Sequence, residues 1–200
     1  MGLSKRTAKR LLQRIGLLGA AERLYFNTRA ASADVLRREW AFLRGAEADD
    51  GAPLPPGQLV FDIIACRWRA VYLDSGKEIV ADMVGVLESA GIDPASWLPE
   101  NQVLDFGCGC GRLIRQFRTH SPATLHGSDY NPDLVAWCAE HLAFARFSVN
   151  ALAPPLPYPN GFFRFAYARS VFTHLDGALF DAWIAEMRRV VRGDGLLYIT

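Results

Sequence analysis

The chain has 200 residues, half of them hydrophobic and 22% charged, with a formal net charge of +1. That length suffices for one α/β domain with a substantial core plus an extension, and the composition is that of an ordinary globular protein. No apolar run approaches the roughly 20 residues of a membrane-spanning helix.

The small net charge hides an asymmetry. Residues 1–45 carry ten Lys/Arg against three Asp/Glu, or +7, and the remainder 12 against 18, or −6. Residues 4–28 place Leu11, Ile15 and Leu18 at helical spacing and Arg6, Arg10 and Arg14 on another face. This predicts a basic amphipathic helix, whose basic face reads either as a solvated face or as a contact for an anionic partner such as nucleic acid, a membrane surface or an acidic protein. Arg14 interrupts its only leucine-rich run, so no secretory signal is expected. A second helix is predicted around Ala33–Arg44, with Leu36, Trp40 and Leu43 together on one face. The acidic stretch Ala46–Gly57, rich in Pro and Gly, reads as a linker, which sets an N-terminal extension at 1–57 and a domain at 58–200.

Asp74-Ser75-Gly76 offers a helix start, and Ile79, Val80, Met83, Val84 and Leu87 form one apolar stripe before Gly91 and Pro94. From Gln102 short apolar runs alternate with helical patterns, the sign of βαβ units and a parallel sheet. Strands are predicted at 102–106, 124–128, 145–149, 163–168 and 195–200. Asn131-Pro132-Asp133 opens one helix, and Asp176 caps the last, with Leu179, Trp183, Met187 and Val190 on its core face. Four prolines leave little room for helix in Leu152–Phe162, where Tyr158 is placed to face a substrate.

The segment Val103-Leu104-Asp105-Phe106-Gly107-Cys108-Gly109-Cys110-Gly111-Arg112 is a buried strand running into a bare turn and then a helix. Asp129 ends the second strand, where a carboxylate accepts hydrogen bonds from ribose hydroxyls. A dinucleotide fingerprint needs glycine at 112, which is arginine, and no Gly-Lys-Ser/Thr of a phosphate loop follows. Asp105 beside the turn repels pyrophosphate but suits a ligand bearing ammonium or sulfonium. Cys66, Cys108, Cys110 and Cys138 form no C-x-x-C pair, so neither a metal site nor a disulfide is expected, and a reducing cytoplasm is.

Five segments in this order resemble the class I S-adenosylmethionine-dependent methyltransferases, over about residues 59–200. They are LDFGCGCGR at the first strand, Gly127–Tyr130, Asn150–Leu152, the SVFTHL segment after the fourth strand, and Arg189–Leu196 at the turn before the fifth. The resemblance implies a Rossmann-like, doubly wound, mainly parallel sheet in the order 3-2-1-4-5. It also implies S-adenosylmethionine as cofactor, S-adenosylhomocysteine as product, and a small-molecule or carrier-bound acceptor rather than nucleic acid. By that resemblance Asp105, Gly107, Cys108, Gly109 and Gly111 hold the methionine end of the cofactor. Asp129 takes the ribose, and Tyr130, Asn150, Ala151 and Leu152 meet the adenine. Arg169 and Ser170 lie beside the reacting methyl, and Tyr72, with Trp68, caps the cofactor. His174 is a candidate general base or a helix-entry histidine. Arg164 and Asp194 depart from the family's usual residues and read as surface variation. The family's sixth and seventh strands are absent from the 200 residues, so Leu196–Ile199 are expected at an edge covered by further chain, a second copy or a partner. A cofactor- or partner-binding module without catalysis is the alternative.

Overall fold

The computed structural model describes residues 32–120 and 123–200, so the basic 4–28 segment lies outside them. The described residues fall into two compact units, one of 32–46 and 56–72, the other of 47–55, 73–120 and 123–200.

In the described part of the first unit, α1 (Ala33–Leu43) is capped by the Ser32 hydroxyl, which accepts from the Val35 amide at 3.3 Å. With α2 (Gly57–Ile64) it forms a small core of Val35, Cys66 and Ala70, backed by Phe42, Ile64, Trp68 and Val71. The predicted face of Leu36, Trp40 and Leu43 is not the core face. These side chains are 45%, 58% and 65% exposed, because the core is made one position away, by Val35 and Phe42. The long helix α3 (Arg69–Ser89) starts five residues before the predicted Asp74. Glu39 explains the early start. Its carboxylate accepts from both the backbone amide and Nε of Arg69, each at 2.8 Å, and supplies a cap from 30 positions away.

The second unit contains the rest of α3, the short α4 (Pro94–Trp97), and a five-stranded sheet with its helices. The strands are β1 (Gln102–Phe106), β2 (Thr124–Asp129), β3 (Ala145–Val149), β4 (Phe163–Ala168) and β5 (Val191–Ile199). Every pairing is parallel and the order is β3-β2-β1-β4-β5. The three inner strands are almost wholly buried, which is why they read as unbroken apolar runs, whereas β3 and β5 are half-exposed edges. Side chains alternate across the sheet. Val103, Leu125, Phe165 and Tyr167 pack with Val80, Met83 and Leu87 of α3 and Ile114 and Phe117 of α5 (Ile114–Phe117). Leu104, Phe106 and Ala166 pack on the other face with Trp183, Met187 and Val190 of α7 (Gly177–Val190). Between β2 and β3 runs α6 (Pro132–His141), capped by the Asn131 side chain at 3.0 Å from the Asp133 amide.

β5 begins four residues before the predicted 195. Phe163 pairs with Val191 and Phe165 with Leu196, so Arg192–Gly195 bulge out of the ladder. Within that bulge Asp194 pairs with Arg164, so the two departures from the family pattern neutralise each other. Residues 47–55 have no helix or strand, as expected of a linker, yet they are fastened to α5. Arg115, fully buried, donates to both carboxylate oxygens of Asp50 (2.7 and 2.8 Å) and to the carbonyls of Ala52 (2.9 Å) and Pro53 (3.0 Å).

Candidate functional site

In a doubly wound sheet, ligands bind beyond the carboxyl ends of the strands, where the order reverses. Here that point lies between β1 and β4, and the predicted residues of the second unit gather around it. Gly107, Gly109 and Gly111 all have positive φ (76°, 55° and 82°), a conformation other residues adopt only at a cost. The glycines at 107 and 111 also answer to packing. A Cβ on Gly107 would lie 2.3 Å from Val171 Cγ2, and one on Gly111 would lie 2.5 Å from Leu142 Cδ1. Their missing side chains therefore admit the protein's own neighbours, which the sequence reading did not foresee. The turn is tied to β2, since the Gly107 and Cys108 amides both donate to the Ser128 carbonyl, at 2.7 and 3.0 Å.

Asp129 holds the turn from the other side. Its Oδ2 accepts from the Gly109 amide at 2.8 Å, and its Oδ1 accepts from the Asn131 amide at 2.9 Å. Asp105 lies in register between Gly127 of β2 and Tyr167 of β4. Its Oδ2 and the Tyr167 hydroxyl are buried without a hydrogen-bond partner. Burial pushes the Asp105 carboxyl up to about 7, with the Asp129 charge adding and the Tyr167 hydroxyl and Arg112 opposing. The same burial, and then Asp105 itself, push the Tyr167 hydroxyl well above its usual range. Tyr167 was not singled out from sequence. Its signal was the pairing of two motifs, which places it opposite Asp105 once β1 and β4 are neighbours.

The other predicted residues are placed as follows. Asn150 follows β3; its Oδ1 accepts from the Ser128 hydroxyl and its Nδ2 donates to the Ala151 carbonyl, both at 2.8 Å. Tyr130, Ala151 and Leu152 are exposed beside it. Ser170, just beyond β4, has a left-handed backbone (φ +57°), unusual for a residue with a side chain. Arg169 Nη1 donates to Thr200 Oγ1 at 2.8 Å. His174 is exposed in a single 3₁₀ turn, Phe172–His174. Tyr72 belongs to the first unit, where it is buried. Tyr158 packs rather than facing outward as expected. Its ring stacks on Phe162 and its hydroxyl lies 3.2 Å from Ser148 Oγ. Arg189 and Glu186 of α7 hold its loop, Glu186 Oε1 accepting from the Leu156 amide at 2.6 Å and Arg189 donating to the Tyr158 carbonyl at 2.8 Å.

A turn pinned by amides, flanked by one satisfied and one unsatisfied carboxylate, suits a ligand with a cationic group and hydroxyls. The family model described as a methyltransferase domain matches residues 103–195, which span β1 to the β5 bulge. Residues 103–195 are thus similar to a methyltransferase domain.

The chain is also similar to solved structures. YcgJ from Bacillus subtilis is 21% identical, with a TM-score of 0.49 over 60% of this chain and 48% of that one. A TehB-like S-adenosylmethionine-dependent methyltransferase from Corynebacterium glutamicum is 22% identical, with a TM-score of 0.46 over 63% and 72%. The [4+2]-cyclase SpnF is 22% identical, with a TM-score of 0.50 over 66% and 46%. At such identities a likeness speaks to the fold alone. The chain spans about half the length of YcgJ and of SpnF. Among the described residues no helix is long and apolar enough to cross a membrane, and no group of His, Cys, Asp or Glu is set to hold a metal ion.

Proposed function

We propose that this chain transfers a methyl group from S-adenosylmethionine to a small-molecule or carrier-bound acceptor. The observation that carries this reading is the unpartnered Asp105 carboxylate oxygen, buried beside the glycine turn of a matched methyltransferase domain. An ammonium group meets its need for a donor, and the buried setting strengthens that attraction. Asp129 keeps a lone pair on each oxygen after accepting two amides, which suits ribose hydroxyls. Asn150, Ala151 and Leu152 flank the adenine, and Tyr130 packs beside it. Gly107, Cys108, Gly109 and Gly111, with Arg169 and Ser170, border the methionine end. The chemistry supplied by the bound cofactor is an electrophilic methyl on sulfonium, displaced in line by the acceptor and leaving S-adenosylhomocysteine.

This chain's own contribution is alignment. Holding two reactants in attack geometry supplies up to about 7–11 kcal/mol of a barrier, so an already nucleophilic acceptor needs no base. His174 is the candidate base for one that does. Four free, buried cysteines favour a reducing cytoplasm. The β5 edge suits further chain, a second copy or a partner. A second reading is a cofactor- or partner-binding module without catalysis, since the one candidate base, His174, is exposed in a single 3₁₀ turn.

Calorimetric titration with S-adenosylmethionine tests the cofactor site. Saturable binding lost in Asp105→Asn is expected, and no binding by the unaltered chain sinks the reading. Binding without methyl transfer to any of a panel of hydroxyl, amine and thiol acceptors favours the second.

A further inference from the structure

The candidate site leaves one of its own polar groups unused. Asp105 and Tyr167 are register partners in the parallel pair β1/β4, at the point where the sheet order reverses. Partners in neighbouring strands lie about 4.8 Å apart and project to the same face. Tyr167 packs with Val103 on the α3/α5 face, and Asp105 follows Val103 by two positions, so its side chain takes that face too. Asp105 is 2% exposed and Tyr167 1%. Among the described residues, neither Asp105 Oδ2 nor the Tyr167 hydroxyl has a hydrogen-bond partner.

Packing explains the ring but not the hydroxyl. The ring centroid lies 5.4 Å from that of Phe117 and 5.7 Å from that of Phe165, both fully buried, so the phenol cannot turn to solvent. Its hydroxyl is close enough to Asp105 for each group to shift the other's proton equilibrium. A phenylalanine would fill the same space without burying an unmet hydroxyl, which is costly. The described chain gives that oxygen no structural task.

The two atoms ask for the same kind of partner. An ionised carboxylate only accepts, and a phenol accepts as well as donating once. An ammonium group offers three N–H donors and a positive charge. One N–H meets Asp105 Oδ2 and another the phenol oxygen, while the phenol hydrogen turns to the second lone pair of Oδ2. Every polar atom is then satisfied, and the charge is balanced in a buried setting that strengthens the attraction. Water offers the hydrogens without the charge. A sulfonium offers the charge without an N–H, so the pair suits the amine rather than the sulfur.

We infer that Tyr167 is a further cofactor-binding residue, whose hydroxyl joins the Asp105 carboxylate in seating the α-ammonium group of S-adenosylmethionine. The inference rests on the proposed cofactor and extends its site into the body of β4.

Calorimetric titration of the 200-residue chain and its Tyr167→Phe variant tests this, at about pH 8, where the Asp105 carboxyl, raised to about 7, is ionised. The ligands are S-adenosylhomocysteine and its deaminated analogue, which differ only in the ammonium group. The expected result is about tenfold weaker binding of S-adenosylhomocysteine by the variant, equal binding of the deaminated analogue by both chains, and no fall in unliganded melting temperature. Equal affinity of both chains for S-adenosylhomocysteine, as when the two atoms share only a buried water, would overturn the inference. So would a similar loss with both ligands, which marks a structural effect or a contact to the carboxylate. An unaltered chain that binds neither ligand sinks the proposed cofactor as well, so the two failures are distinct.

Discussion

Asp129 Oδ2 accepts the Gly109 amide at 2.8 Å, so the acid that ends β2 also clasps the turn that ends β1, twenty positions earlier. Its other oxygen accepts the Asn131 amide, and thus one buried carboxylate serves two backbone donors. An asparagine has a single oxygen and leaves one of those amides facing an NH₂ group. Asp129→Asn is therefore expected to lose about 1–3 kcal/mol of stability in urea unfolding. S-adenosylmethionine binding should fall at the same time. Unchanged stability with weakened binding would mean that Asp129 acts on the ligand alone.

Asp105 has a folded value raised to about 7, against an ordinary value of 3.8. A raised carboxyl binds its proton more tightly when folded, so its contribution to stability declines as pH rises from about 4 to about 7. Asp105→Asn removes that decline. Relative to the unaltered protein, the variant should gain stability progressively across this window, read as melting temperature against pH. A cationic ligand needs the ionised form, so S-adenosylmethionine affinity should rise with pH and level off above about 7. A pH-independent affinity between 5 and 8 would contradict the role given to this carboxylate (the range follows from its raised value).

Arg115 is wholly buried against Asp50, a pair 65 positions apart that fastens residues 47–55 to α5. Burial on its own raises the Asp50 carboxyl, but the Arg115 guanidinium outweighs this and holds it below its usual value. Removing one partner leaves an uncompensated charge, so Arg115→Ala should cost about 3–5 kcal/mol. Lysine keeps the charge but not the planar fork that reaches Asp50, Ala52 and Pro53 together. Arg115→Lys should recover less than half of that loss. Full recovery would show that charge alone matters.

Ser170 sits in the left-handed region immediately beyond β4. Glycine relieves that conformation while adding chain entropy to the unfolded state, and Ser170→Gly should be about 0.5–1 kcal/mol more stable. If the serine side chain borders the reacting methyl, kcat/KM falls in this more stable variant. A stabilised variant with unaltered kcat/KM would remove Ser170 from the site.

Much of the central domain was legible because its signals are local. β1 and β4 fall where the apolar runs placed them, since inner strands buried on both faces cannot hide a polar residue cheaply, and the edge strand β3 also keeps its predicted bounds. α7 falls between its Asp176 cap and Val190, and Leu179, Trp183 and Met187 share its inward stripe. What escaped depends on residues far apart in sequence. Glu39 caps α3 from 30 positions away, Arg115 finds Asp50, and Arg164 and Asp194, each odd alone, form one ion pair. The Leu36-Trp40-Leu43 stripe shows a different limit. Periodicity reveals that a face is apolar, but not whether protein or something else covers it. At the site, the two acids and the glycine turn could be read directly, whereas Tyr167 became visible only once β1 and β4 were paired.

The sulfur atoms of Cys108 and Cys138 both lie against the Gly109 carbonyl, at 3.6 and 3.5 Å. The neighbouring Cys138 thiol, together with burial, pushes the Cys108 thiol well above its usual range, so almost none of it is thiolate at neutral pH. The thiolate is the reactive form. An alkylating reagent can therefore modify the cofactor turn only during the moments when the turn opens. Labelling of Cys108 is an intrinsic clock for that opening, and a ligand seated on the turn slows it in proportion to the fraction of protein it occupies.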